Sequence, residues 1–218
     1  MIFCDFLNTR EEWLAARRNA IGGSEAASIV GLSPYRNNVE LWEEKVGLRT
    51  APDISNNELV KYGTDAEKHL RELFKLDFPQ YSVWYRENNM FRNSMIPFAH
   101  ASLDGVLTEK KTGRKGILEI KTTNILQSMQ KEKWRDRIPS NYYIQVLHYM
   151  LVTCCDFAIL KAQLKFDYGG EIRLTTRHYI IEREEVQEDI DFLQEKEAAF
   201  WEYVKAKKRP ALVLPSLD

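Results

Sequence analysis

The spacing of apolar positions divides the chain into six helical runs and five extended ones. Asn8-Thr9-Arg10-Glu11-Glu12 reads as a helix start, with Thr9 as N-cap and Glu12 closing a capping box. Trp13, Leu14 and Ala16 then supply a buried stripe. Gly22-Gly23 breaks this helix, and Ser24 is placed to cap a second one from Ala26 to Val30. Ser33-Pro34-Tyr35 turns the chain ahead of a third run through Leu41, Trp42 and Val46. Residues 49 to 58 are polar and irregular, after which Leu59 to Leu76 carries Val60, Leu70, Leu73 and Phe74 at helical spacing.

From Tyr81 to Thr122 the period shortens to two. Val83-Trp84-Tyr85, Ala99 to Leu107 and Gly116 to Thr122 read as strands, the last two joined through Lys110-Lys111-Thr112-Gly113 into an antiparallel hairpin. Ile138 to Val152 returns to helix, with Tyr142, Val146, Tyr149 and Met150 on its apolar side and Gln145 among them. Phe157 to Phe166 and Ile172 to Ile181 pair around Tyr168-Gly169-Gly170, where glycine allows the positive φ of a tight hairpin. A last helix, from about Glu184 to Lys207, is marked by Val186, Ile190, Leu193, Phe200 and Val204. This order implies an α/β fold with an added N-terminal helical layer. It reads as one domain over residues 1–218: a helical part to about 58, a core over about 59–183 and a helix over about 184–207.

Composition narrows the function classes. With 44% hydrophobic and 29% charged residues in 218, the chain can bury a substantial core. No apolar run approaches the roughly 18 residues of a membrane span, and the N-terminus lacks a signal-peptide pattern, so a cytosolic chain without membrane association is expected. Cys4, Cys154 and Cys155 are odd in number and two are neighbours, which points to reduced thiols. A net charge of −1 argues against a protein that coats nucleic acid, but leaves room for a basic channel in an acidic exterior. Lys131, Lys133, Arg135 and Arg137, and again Lys205, Lys207, Lys208 and Arg209, are candidate basic segments that solvated helix faces explain equally well.

Candidate chemistry sits in Leu118-Glu119-Ile120-Lys121. On a strand Glu119 and Lys121 leave the same face while Ile120 points into a core, and Asp104 lies on the partner strand of the hairpin. Two carboxylates suit a hard divalent cation such as Mg²⁺ or Mn²⁺, which neutralises phosphoryl oxygens and lowers the pKa of a bound water. A neighbouring lysine can orient that water and stabilise developing charge. An isolated Glu-x-Lys equally describes a weak surface pair, so the motif needs company.

Company comes from several blocks in order: Arg17-Arg18-Asn19-Ala20-Ile21-Gly22-Gly23-Ser24-Glu25-Ala26-Ala27 with Gly31-Leu32-Ser33-Pro34-Tyr35 and Leu41-Trp42, then Gly63-Thr64-Asp65-Ala66-Glu67, Asp104-Gly105, Glu119-Ile120-Lys121 and Tyr143-Ile144-Gln145-Val146. Together they resemble the phage lambda exonuclease family, and within it the YqaJ-like viral recombinase nucleases. The resemblance spans roughly residues 10 to 155. It implies the restriction-endonuclease-like PD-(D/E)xK core, a central mixed sheet flanked by helices, although Leu103 stands where the fold's name advertises proline. It also implies direct metal ligation by Asp104, Glu119 and the main-chain carbonyl of Ile120, with Glu67 an acidic group beside the metal or bound to it through water. Lys121 takes the catalytic role, and Gln145 hydrogen-bonds near Lys121 or the scissile phosphate.

The same resemblance gives Arg17, Ser24 and Ser102 to a terminal 5′-phosphate. Val60 falls where the family places an apolar wedge between bases, while its position in a helical stripe favours a core valine. The implied activity is Mg²⁺-dependent (or Mn²⁺-dependent) 5′-to-3′ digestion of one strand of linear double-stranded DNA, leaving a 3′ tail. A homotrimeric ring, a single-strand annealing protein as partner and a phage or prophage origin in a bacterial host belong to the same expectation. Endonucleases and resolvases share the fold, and a non-catalytic DNA-end-binding scaffold is the rival from another class.

Overall fold

The computed structural model describes residues 1–54, 56–125 and 132–214. It is α/β, built on two sheets. The larger has five strands: β3 (Tyr81–Trp84), β6 (Gly105–Glu109), β7 (Lys115–Ile125), β8 (Phe157–Tyr168) and β9 (Glu171–Glu182), neighbours in that order. All its pairings are antiparallel except β7 with β8, which run parallel from Gly116 opposite Phe157 to Ile125 opposite Phe166. A parallel pair needs a crossover. Here the crossover contains helix α5 (Ser140–Thr153).

The smaller sheet orders β1 (Ile2–Phe6), β4 (Asn89–Asn93), β5 (Ala99–Ala101) and β2 (Ile21–Gly22). The sequence pattern did not disclose it, because its strands run only two to five residues and show too little alternation to stand out. Helix α5 packs against strands of both sheets and against α2 (Gly23–Ile29) and α6 (Gln187–Lys205), so every residue from Ile144 to Thr153 is buried. The expected apolar side of this helix is therefore its whole circumference. Gln145 and His148 are polar exceptions that must find partners inside the protein.

Helix α1 (Arg10–Arg18) begins as its sequence indicates: Thr9 Oγ1 accepts the Glu12 N–H at 3.1 Å, a cap worth about 1 kcal/mol. The Glu12 carboxylate accepts from Asn8 N–H at 2.9 Å, one residue earlier than a capping box requires. The expected buried stripe is absent: α1 has no buried residue, and Leu14 is 42% exposed. This helix lies on a cleft rim and turns Trp13 and Arg17 toward the opening.

Two further expectations need correction. Helix α2 starts at Gly23 with Gly22 as its N-cap, where the Glu25 carboxylate accepts the Gly22 N–H at 2.9 Å, so Ser24 is not the cap. Helix α4 (Glu58–Asp77) follows α3 (Asn38–Lys45) and buries Leu70, Arg71 and Phe74 against the large sheet. Its first half overhangs the cleft, which leaves Val60 36% exposed instead of in the core.

The hairpin turn of β8 and β9 uses Gly169 and Gly170, both at positive φ. All three cysteines are free. Among the described residues no helix is long and apolar enough to cross a membrane.

Candidate active site

The run from Ala99 to Leu107, expected as one strand, breaks at residues 102–104 and changes sheets. Asn89 explains the break. Its buried carboxamide accepts the Leu103 N–H at 2.9 Å and donates to the Leu103 carbonyl at 3.0 Å, replacing both ladder bonds that residue would have made. Leu103 then anchors in the core, and Arg71 Nη1 donates to the Asp104 carbonyl at 2.6 Å. The β6–β7 ladder ends at Gly105 opposite Leu118, and Asp104 Oδ2 takes over by accepting the Ile120 N–H at 2.8 Å. That bond fixes Asp104 beside Glu119, on the free edge of β7.

Glu119 is 1% exposed, and its two oxygens differ. Oε1 pairs with Lys121 Nζ at 2.7 Å and accepts from Gln145 Nε2 at 2.8 Å. Oε2 is buried with no hydrogen-bond partner among the described residues. Burial raises the Asp104 carboxyl well above the ordinary aspartate value, and the neighbouring charges of Glu119 and Glu67 push it further. Burial likewise raises Glu119, against the pull of Lys121. Lys121 moves upward: burial opposes its charge, but Glu119 and then Asp104 hold the ammonium well above the ordinary lysine range.

Three carboxylates thus crowd one cleft wall with too little positive charge among them. Among the described residues no group of three or more acidic, histidine or cysteine side chains is arranged to hold a metal ion. Asp104 and Glu119 nevertheless offer hard oxygens, one of them buried without a partner, of the kind a divalent cation takes, and such a cation would relieve their repulsion. Glu67 comes from α4, where Arg71 Nη1 holds its Oε1 at 2.8 Å, and it faces the same cleft together with the backbone of Ile120. Helix and strand come close here because residue 63 is glycine; a Cβ on Gly63 would lie 3.1 Å from Thr122 Oγ1.

Gln145 is 7% exposed and donates through Nε2 to both Glu119 and the Tyr149 hydroxyl, each at 2.8 Å. Its amide therefore holds Glu119 by the same oxygen that meets Lys121 Nζ. Tyr149 in turn packs on Gly23, where a Cβ would lie 2.3 Å from its Cε1.

At the other end of the cleft Arg17 Nη2 donates to Ser24 Oγ at 3.1 Å, and the Arg17 guanidinium lies over the Trp13 ring at 4.5 Å. The Trp13 indole N–H donates to Ser102 Oγ at 2.9 Å. Arg17, Ser24 and Ser102 thus share one surface, which the sequence order alone could not show. Sequence reasoning missed the support beneath it. Glu25, 8% exposed, pairs with Lys45 at 2.7 Å and Arg36 at 3.5 Å, and Lys45 also donates to the carbonyls of Ala20 at 2.7 Å and Arg17 at 3.2 Å.

Arg17, Ser24, Glu67, Ser102, Asp104, Glu119, Lys121 and Gln145 line one cleft of about 450 Å³, whose lining also includes Val60 and Thr64. Among the described residues the cations lining it are Arg10, Arg17 and Lys121. Lys133, Arg135, Arg137, Lys205, Lys207, Lys208 and Arg209 are exposed elsewhere, and Lys131 lies outside the described residues.

Comparison with known proteins bears on the fold and the family. The fold matches an alkaline exonuclease of Laribacter hongkongensis at 20% identity and a TM-score of 0.65, covering 91% of this chain and 94% of that one. It also matches a phage-related exonuclease of Haemophilus somnus 129PT at 16% identity and a TM-score of 0.57, covering 86% and 96%. In sequence, the uncharacterized protein YqaJ of Bacillus subtilis (strain 168) is 31% identical over 206 residues, 94% of this chain but 59% of that protein, so the chain spans less than two thirds of its relative's length. The YqaJ-like viral recombinase domain matches residues 12–156, which take in Arg17, Ser24, Glu67, Ser102, Asp104, Glu119, Lys121 and Gln145. The chain that sets Asp104, Glu119, Lys121 and Gln145 into one cleft therefore belongs to the YqaJ-like viral recombinase family.

Proposed function

We propose that this protein is a divalent-metal-dependent deoxyribonuclease that digests one strand of linear double-stranded DNA from its 5′ end and leaves a 3′ single-stranded tail. The observation that carries the reading is Glu119, with one oxygen committed to Lys121 and Gln145 and the other unpartnered beside Asp104. Asp104, Glu119 and the Ile120 carbonyl would hold Mg²⁺ or Mn²⁺, with Glu67 reached directly or through water. Such a cation supplies Lewis acidity toward a phosphoryl oxygen and acidifies a bound water.

The protein's own groups divide the remaining work. Lys121 keeps its proton on Nζ and presents positive charge to the scissile phosphate, a positioned electrostatic contribution that water cannot match in a buried site. Gln145 holds Glu119 in one rotamer. Arg17 can exchange its bond to Ser24 for a doubly charged terminal phosphate, which a guanidinium binds more strongly than a hydroxyl. Ser24 and Ser102 then add hydroxyl donors, and a grip on the 5′ end gives cleavage its direction. Val60, exposed in the cleft lining, would meet the first base pair as an apolar wedge. The 3′ tail is the substrate of a single-strand annealing protein, and closure of three copies into a ring would retain the duplex.

A time course on linear duplex carrying either a 5′-phosphate or a 5′-hydroxyl tests the reading. Digestion is expected only with a divalent cation present, and faster on the phosphate. Lys121→Ala should slow it by about 10²-fold or more, and Arg17→Ala should erase the phosphate preference. Full-rate cleavage by Lys121→Ala would refute the active site.

A further inference from the structure

His100 sits in β5 two residues before Ser102, and both residues line the cleft. Its main chain is fixed from two sides. Gly22 pairs with it in the parallel β2–β5 ladder, and His148 Nε2 bonds the His100 carbonyl at 2.9 Å. The imidazole lines the same cleft as Arg17, Ser24 and Ser102, yet it is only 2% exposed, and neither Nδ1 nor Nε2 has a hydrogen-bond partner among the described residues.

A buried ring with both nitrogens unsatisfied is a poor choice for packing, because an apolar side chain would fill the space without that penalty. Glycine lies directly against the ring: a Cβ built on Gly22 would stand 3.0 Å from His100 Cε1, 3.1 Å from His100 Nε2 and 3.8 Å from Arg17 Nη2. Any side chain at residue 22 would press on the imidazole and approach the guanidinium, so glycine here lets the two groups stay near one another. Arg17 spends a donor on Ser24, and a phosphate that drew Arg17 and Ser24 to itself would come up beside the imidazole.

We infer that His100 is a further ligand of the terminal 5′-phosphate, donating one imidazole N–H to a phosphoryl oxygen from the wall opposite Arg17. The inference rests on the 5′-phosphate reading of Arg17, Ser24 and Ser102. His100 acts as a neutral donor. Burial, helped by His148, Arg17 and Lys45 and opposed by Glu25, lowers its pKa to about 3, so the ring carries no charge at neutral pH. Arg17 supplies charge and His100 supplies direction, which together favour a tetrahedral phosphate over a hydroxyl terminus.

Two measurements in Ca²⁺ or EDTA test this on uncut DNA. The first compares the affinities of wild type, His100→Gln and His100→Leu for duplexes ending in 5′-phosphate or 5′-hydroxyl. Wild type should prefer phosphate, His100→Leu should lose about tenfold of that preference, the size of one hydrogen bond to a charged group, and His100→Gln should keep most of it. Wild-type preference in a folded His100→Leu protein would overturn the inference. No preference in wild type would instead overturn the 5′-phosphate reading beneath it. The second follows the ring nitrogens of the four histidines by ¹⁵N NMR on wild type. The His100 signal should move with phosphorylated DNA and not with hydroxyl-terminated DNA, and an unmoved signal would make His100 a packing residue.

Discussion

Asp104 is held where its charge is unwelcome. Its Oδ2 accepts the Ile120 N–H, which favours the carboxylate, yet burial, Glu119 and Glu67 all oppose ionisation and prevail. Ionised, this residue costs stability, and a divalent cation bound as proposed would reverse that. Asp104→Asn should therefore melt higher than wild type in EDTA, by about 1 kcal/mol or roughly 2–4 °C for a chain of this size. Millimolar Mg²⁺ should raise the wild-type melting temperature by ligand linkage and leave the variant unmoved. Calorimetry with and without Mg²⁺ decides it, and a variant that melts lower in EDTA and still responds to Mg²⁺ would reverse the account. The acid-base set was legible in sequence because alternation puts Glu119 and Lys121 on one face. The re-aiming of Asp104 was not, since it depends on Asn89, fourteen positions before the Leu103 it bonds, whose side chain impersonates a strand.

Elements meet through buried charge. Glu25 of α2 and Lys45 of α3 form a pair that also caps the end of α1, so the placement of Arg17 depends on a contact between two other helices. Burial alone would raise the Glu25 carboxyl, but Lys45 and then Arg36 outweigh it and hold the pKa below the ordinary glutamate value. A depressed carboxylate pKa gives stability that is present above the unfolded value of about 4.3 and is lost as pH falls through the folded value. Burial draws Lys45 below its own ordinary value, with Glu25 opposing. In the acid range the lysine is protonated folded or unfolded, so Glu25 sets the slope there. Lys45→Met should cost roughly 3–5 kcal/mol at pH 7 by stranding the carboxylate, and Glu25→Gln should flatten the loss of stability between pH 5 and pH 3. Urea midpoints at each pH measure both; an undiminished acid slope in Glu25→Gln would assign it to other groups. Helix identity was readable here from periodicity, and Asn37 caps α3 as such a residue should. A Glu–Lys contact spanning twenty residues leaves no periodic trace.

For the whole molecule, a net charge of −1 coexists with a cleft whose cations are few and placed at its far end and centre. Under the proposed function, affinity for DNA would then draw on recognition of the 5′ end and on enclosure of the duplex beside any basic channel. Edge strand β9 exposes Ile172, Leu174 and Ile180, apolar area of the kind that association covers. Sedimentation should find three copies per particle, and covalently closed circular DNA should survive conditions that consume the linear form. Linearisation of circles would mark an endonuclease on the same fold. The two-sheet architecture was half legible: the long strands β7, β8 and β9 announce themselves, whereas the small sheet is assembled from segments too short to carry a period.

Gly23 lets the Tyr149 ring approach the main chain more closely than any side chain would allow. The next residue, Ser24, meets Arg17, while the Tyr149 hydroxyl leads through Gln145 to Glu119. Under the proposed function, the part that would hold a DNA end and the part that would cut it are therefore joined through the contact of one glycine with one tyrosine.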